Sequence, residues 1–205
     1  NTYKGSKVLD QISQKAREYG CPILRKQAAG LLDILVRVSG TKRILEIGTS
    51  VGYSTIVLRN AMKDGGRIVT IEMEESLVDM AKEHFRAAGF SDSITLFFGD
   101  AAEILHFMSG EFDMVFLDGP KAQYINYLPH ILRLLKRGGL LICDDVLFYG
   151  MVASDSLINK RKITIVKRMR KFLDAISQHP ELSTSVIPLG DGLSISYKRG
   201  ADNEL

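Results

Sequence analysis

Short apolar runs alternate along the chain with amphipathic stretches. "RILEI" at 43–47 is rich in branched apolar residues and has strand length, so it predicts a buried β-strand. "YSTIVLRNAM" (53–62) follows as a helix, and the turn Asp64-Gly65-Gly66 leads into a second strand at 67–72. The stretch 75–89 carries apolar residues at helical spacing and closes on Gly89, a residue suited to the position after a helix. A third strand at 93–98, a short helix at 101–108 and a fourth strand at 112–117 come next. A helix at 122–136, interrupted by Pro129 and punctuated by Gly138-Gly139, precedes a fifth strand at 140–143. A long helix covers roughly 160–178, and the strands 183–189 and 193–198 form a hairpin about Gly190-Asp191-Gly192. Residues 1–40 read as leading helices, 41–198 as the core, and 199–205 as a loose tail.

Strands alternating with helices imply an α/β fold: a mostly parallel central sheet, helices on both faces, and a C-terminal antiparallel hairpin. Ligands of such sheets bind beyond the carboxyl ends of the strands. Here those ends read Glu46-Ile47-Gly48, Glu72, Gly99-Asp100, Asp118 and Asp144-Asp145, so polar residues collect along one edge. The length of 205 residues suits one domain, and 45% hydrophobic with 25% charged residues is ordinary for a globular protein. No apolar run nears the roughly 20 residues that span a bilayer, so no membrane partner is expected. Cys21 and Cys143 form no C-x-x-C pair, which fits a reducing cytoplasm. The chain begins at Asn1 with no visible signal peptide, which leaves its natural start open. A net charge of +3 does not by itself announce nucleic-acid binding.

"LEIGTSVGYS" (45–54) is a strand, a glycine turn and a helix start, where Gly48 and Gly52 let a ligand approach the backbone. Glu72 ends the next strand, where a carboxylate can accept both hydroxyls of a ribose. The turn reads G-T-S-V-G rather than G-x-G-x-x-G, which favours a single nucleoside over a dinucleotide. Asp100 in "GDA" (99–101) can bond an adenine amino group. The plainer alternative makes Gly48 a turn and Glu72 a cap.

"ILEIGTSVGYS", "FLDGPKAQY", "GGLLICDDVLFYG" and "LGDGLSISYK" resemble the metal-dependent S-adenosylmethionine O-methyltransferases, which include catechol and caffeoyl-CoA O-methyltransferases. The resemblance covers about residues 20–198 and implies a Rossmann-like class I methyltransferase fold. "K-A-Q-Y" and "D-V-L-F-Y-G" further resemble the bacterial branch that methylates 5-hydroxyuridine in tRNA. The resemblance implies S-adenosyl-L-methionine contacts at Glu46, Gly48, Ser54, Glu72, Met73, Gly99, Asp100, Ala101 and Asp118. It implies a divalent metal, Mg²⁺ (or Mn²⁺ or Ca²⁺), on Asp118, Asp144 and Asp145, and places catalysis at Lys121, as general base, and Asp118. Hard cations take oxygen ligands and keep open positions, which would receive two adjacent oxygens of an acceptor. An amine near a dication has a depressed pKa and can accept the hydroxyl proton. Asp145 departs from the family's usual asparagine; three carboxylates would bind the metal more tightly and leave it less electrophilic, unless Asp145 acts through water. The alternative is that Asp144-Asp145 caps a turn and Lys121 is solvated. Histidines 84, 106, 130 and 179 are scattered and none reads as a ligand; Cys143 reads as a buried strand residue. Tyr124 and Phe148 are pocket walls or core.

The stretch 159–172 carries seven basic residues and no acidic ones. On a helix, Ile165, Met169, Phe172 and Ile176 share one face, and Lys167, Arg168 and Lys171 the other, joined by Lys160 and Arg161 if the helix starts that early. A face of uniform sign suggests an RNA backbone, extended by Arg25 and Lys26; an ordinary solvated face is the alternative. The expected function is therefore methylation of 5-hydroxyuridine in tRNA to 5-methoxyuridine, by a cytoplasmic homodimer. The alternatives are an O-methyltransferase of small catechol-like or caffeoyl-CoA-like molecules, and a non-catalytic S-adenosylmethionine-binding module. The second alternative is disfavoured by Asp118, Lys121 and Asp144.

Overall fold

The structure is a computed structural model that describes residues 5–200; positions 201–205 of the expected tail lie outside the described residues. Arg199, expected to be loose, donates its amide to the Glu181 carbonyl at 2.8 Å and its Nε to the Ser183 hydroxyl at 3.0 Å. The chain divides into two compact units between Ile104 and Leu105.

In the first unit, two helices lead, α1 (Lys7–Glu18) and α2 (Lys26–Ser39). The side chain of Ser6 caps α1 by accepting from the Leu9 amide, and Leu9, Ile12 and Ala16 form its buried face. Then β1 (Arg43–Ile47), α3 (Tyr53–Ala61), β2 (Arg67–Glu72), α4 (Glu75–Ala87) and β3 (Ile94–Phe98) alternate. β1 pairs parallel with β2, from Arg43 opposite Arg67 to Ile47 opposite Ile71, and β2 pairs parallel with β3, ending at Glu72 opposite Phe98. These registers bring the ends of all three strands to one edge of this unit's sheet. Helix α5 (Ala101–Phe107) begins just beyond that edge.

The second unit contains β4 (Phe112–Leu117), α6 (Tyr124–Leu134), β5 (Leu135–Cys143), α7 (Ile163–Ser177), β6 (Leu182–Ile187) and β7 (Leu193–Lys198). β4 and β5 are parallel, and β7 runs antiparallel to both β5 and β6. Two boundaries differ from the sequence expectation by more than two residues. β5 begins at Leu135, where Leu135 pairs with Phe112, and the glycine pair lies inside this strand rather than between helix and strand. A Cβ at Gly139 would come within 2.7 Å of Leu135 Cδ1, and Gly138 has a φ of 80°, so both positions need glycine. α7 begins at Ile163, because Lys160–Lys162 form a separate 3₁₀ turn whose Arg161 amide is capped by the Asn159 side chain. Lys160 and Arg161 are therefore off the helix. The buried face of α7 is Val166, Met169, Phe172 and Ile176, with Ile165 only half-buried. Among the described residues, no helix is long and apolar enough to cross a membrane.

Candidate active site

The glycine turn after β1 is built on a buried carboxylate. Glu46 is fully buried and accepts from the Ser54 and Thr70 hydroxyls at 2.7 Å each and from the Thr55 hydroxyl. A carboxyl at that depth is tolerable because three donors replace its water. Glu46 and Ser54, expected at the cofactor, are thus bound to each other beneath the turn, where they hold α3 against β1 and β2. From α4, His84 donates through Nδ1 to the Val51 carbonyl at 2.7 Å, while its Nε2 is buried without a partner. Gly48 and Gly52 have φ values of 98° and 81°. A Cβ on Gly52 would lie 2.6 Å from the Phe85 ring, so the turn packs tightly on α4.

Glu72 stands at the edge itself, nearly buried. One carboxylate oxygen accepts from the Ser50 amide at 2.7 Å, and the other accepts from the Met73 and Glu74 amides at 2.9 Å each. Ser50 has a φ of 49°, so the turn is drawn back to Glu72 through a conformation rare for a non-glycine residue. Met73 is exposed beside it. Asp100, after Gly99, is exposed and accepts from the Ala102 amide at 2.7 Å, and Ala101 is buried in the first turn of α5. The structure therefore gathers Gly48, Glu72, Met73, Gly99, Asp100 and Ala101 around the strand ends of the first unit.

In the second unit, Lys121 stands among carboxylates. Its Nζ lies 2.7 Å from Asp118 Oδ1 and 3.3 Å from Asp145 Oδ2, and donates to the Tyr124 hydroxyl at 3.1 Å. Asp144 is buried, and one of its oxygens accepts from the Asp145 amide at 2.8 Å. Burial, then Asp118 and Asp145, push the Asp144 carboxyl up to about 7. Burial also raises Asp118, against the pull of Lys121. Burial by itself would lower the Lys121 amine, but Tyr124, Asp118 and Asp145 outweigh it and hold the amine above its ordinary value. These anions raise the amine, whereas the depression expected of a general base is tied to a bound dication, which would oppose them. Tyr124 is fully buried, within 3.1 Å of the Leu117 and Asp144 carbonyls, and stacks edge-on against Phe172 at 5.4 Å. It is a floor that holds Lys121, not a pocket wall. Cys143 is buried in β5, as expected, with its thiol pushed up to about 12 chiefly by burial.

The chemistry of this set suits a hard cation, since it takes oxygen ligands and three carboxylates crowd together here, Asp144 buried and Asp118 and Asp145 partly exposed. Among the described residues, however, no group of three such side chains is arranged to hold a metal ion. Two of the carboxylates, Asp118 and Asp145, converge on the Lys121 ammonium instead.

Lys167, Arg168 and Lys171 are exposed on α7, and Arg168 donates to the Ala122 carbonyl at 3.3 Å, next to Lys121. Arg25 and Lys26 are exposed at the start of α2, in the other unit.

The model of a family described as O-methyltransferase matches residues 4–199. The chain belongs to the O-methyltransferase family. This methyltransferase is 30% identical over 193 residues to a protein of Mycobacterium sp. (strain JLS) provisionally named an O-methyltransferase, covering 93% of this chain and 86% of the relative. An Arabidopsis thaliana protein with the provisional name caffeoyl-CoA O-methyltransferase is 28% identical over 174 residues, 80% of this chain and 72% of the relative. The crystal structure of the O-methyltransferase TomG from Streptomyces achromogenes, involved in tomaymycin synthesis and in complex with S-adenosylmethionine, superposes with a TM-score of 0.86. It is 28% identical and covers 97% of this chain and 92% of that one. The methyltransferase has the Rossmann-like fold of these enzymes, with a mixed sheet and C-terminal antiparallel strands. Sequence reasoning missed the supporting residues of this O-methyltransferase. Thr55, Thr70 and His84 hold the glycine turn, and no spacing in the chain points to them. For Tyr124 the sequence leaves pocket wall and core open, and its bond to Lys121 decides for the core.

Proposed function

We propose that the protein transfers the methyl group of S-adenosylmethionine to one of two adjacent oxygens on a small catechol-like or caffeoyl-CoA-like acceptor. The observation that carries this reading is the Asp118–Lys121–Asp145 cluster with Asp144 beside it, an amine and acids together at strand ends. The names of the relatives support it: one is named for caffeoyl-CoA, and TomG is an O-methyltransferase bound to S-adenosylmethionine. The donor belongs to the first unit. Glu72 holds three backbone amides and keeps acceptor capacity for ribose hydroxyls, with Met73 and Asp100 at the same edge. Asp118, Asp144 and Asp145 would hold a divalent cation such as Mg²⁺ only with Asp118 and Asp145 turned from Lys121 toward Asp144; the cation would then lower the pKa of an acceptor hydroxyl. Lys121 is the proton acceptor beside them. It can take the hydroxyl proton only as a neutral amine, and anything that draws Asp118 and Asp145 away favours that form. Binding both reactants in register supplies much of the acceleration.

A second reading is methylation of 5-hydroxyuridine in tRNA. It is favoured by the exposed cations Lys167, Arg168 and Lys171 on one helix. The deciding assay incubates the protein with S-adenosylmethionine and, separately, a diphenol, caffeoyl-CoA and bulk tRNA, with Mg²⁺ or with excess chelator. We expect methylation of a small acceptor that chelator abolishes. Turnover of tRNA with none of either small acceptor would overturn the reading, and full activity in chelator would remove the metal from it.

A further inference from the structure

The segment after β5 has an unusual backbone. Asp145, Phe148 and Tyr149 have φ values of 55°, 45° and 57°, followed by Gly150 at 74°. Three non-glycine residues in the left-handed region within five positions form a disfavoured chain path, and it persists only where surrounding structure holds it. What holds it comes from the turn between β6 and β7. The Tyr149 amide donates to both carboxylate oxygens of Asp191, at 2.6 and 2.8 Å. The Leu147 amide donates to the Asp191 carbonyl at 2.9 Å, and the Val146 amide to the Gly192 carbonyl at 3.0 Å. The two chains lie so close that a Cβ on Gly192 would collide with Leu147. At the far end of the segment, Arg170 of α7 donates to the Val152 and Met151 carbonyls at 3.0 and 3.2 Å and pairs with Asp155 at 2.7 Å.

The segment so tied is part of the acidic cluster. It starts at Asp145, which faces Lys121, and the Phe148 amide donates to the Asp145 carbonyl at 3.2 Å. It carries Phe148, buried, against the exposed ring of Tyr149, with centroids 5.4 Å apart. An exposed aromatic on a turn held by these bonds, in the segment that starts at Asp145, is suited to meet a flat acceptor.

We propose that Asp191 is a positioning residue for the acceptor: its carboxylate holds residues 148–150 in the left-handed turn that sets Phe148 and Tyr149 beside Asp145. The role rests on the acceptor reading above. A carboxylate suits it because both oxygens receive the one amide, and a charged acceptor strengthens the bond. The β6–β7 turn is then a latch for acceptor binding as well as the end of the sheet.

The test uses the full chain with Asp191→Ala and Asp191→Asn. Hydrogen exchange on the protein alone reads the latch, and steady-state kinetics with a small diphenol read its consequence. Asp191→Ala should speed exchange at the amides of 147–150 while those of β4 and β5 keep their protection. It should raise the acceptor KM by about tenfold, the scale of one bond to a charged group, with S-adenosylmethionine affinity unchanged. Asp191→Asn, whose amide oxygen can still accept, should recover most of both losses. Unchanged exchange at 147–150 overturns the latch, and so does loosening spread evenly through the second unit that Asn does not repair. Loosening confined to 147–150 with an unchanged KM overturns the link to the acceptor. If the parent protein methylates no small acceptor, the acceptor reading fails on its own, and exchange still judges the latch.

Discussion

Glu46, Glu72 and Asp144 are nearly or wholly buried acids near strand ends, and their surroundings give them different work. Glu46 spends its oxygens on three hydroxyls of its own unit, which makes it a foundation for the glycine turn. Glu72 takes three backbone amides at the edge, so it shapes the turn and presents a carboxylate there. Replacing Glu72 by alanine should weaken S-adenosylmethionine by about 1.5–3 kcal/mol, the range for bonds to a charged group. An unchanged dissociation constant by calorimetry would remove Glu72 from the cofactor site. Asp144 has too little solvation and two acidic neighbours. Its folded-state value of about 7 lies above the roughly 4 of an unfolded aspartate. Between those values the folded protein keeps a proton that the unfolded chain has released, so in chelator this residue's contribution to stability is lost as pH rises toward 7. Asp144→Asn should flatten that dependence and be more stable than the parent at pH 8. Urea denaturation at pH 5 and pH 8 measures it, and identical pH slopes in parent and variant would refute it.

At the scale of elements, α7 shows how one helix serves two readings. Val166, Met169, Phe172 and Ile176 seat it, and that packing needs nothing from the cations opposite. Exchanging Lys167, Arg168 and Lys171 for glutamine should leave the fold intact, and small-acceptor turnover should change only through loss of the Arg168 bond to the Ala122 carbonyl beside Lys121. If the helix grips RNA instead, the variant's slope of log affinity against log salt should flatten by about 2, at roughly 0.7 per phosphate contact. A flattened slope together with lost tRNA methylation would bring the RNA reading forward. The glycines of β5 belong to this scale too. Gly138-Gly139 looked like punctuation after a helix, yet the strand passes through them, because pairing of Leu135 with Phe112 extends it backward.

For the whole molecule, ligand binding should appear as stability. S-adenosylmethionine at one hundred times its dissociation constant should add about 2.7 kcal/mol to unfolding, provided it binds only the folded chain. A denaturant midpoint that does not move with the cofactor would show that the folded protein does not bind it. The succession of strands and helices, and the polar residues at strand ends, are legible in the chain, because burial periodicity and turn residues are local. From Arg43 to Cys143, each apolar run of strand length became a strand, and Glu72, Asp100, Asp118 and Asp144 stand just at or after such runs. Which acid meets which partner is fixed by folding in three dimensions. Ser54, Thr55 and Thr70 reach Glu46 from 8, 9 and 24 positions away, and Asp191 holds Tyr149 from 42. Folding also sets the state of Lys121, whose proton depends on charges carried by two different loops. Spacing along a chain cannot report such contacts. The energy of an ionisable group depends on distance and solvation in three dimensions, and neither is written in the local pattern.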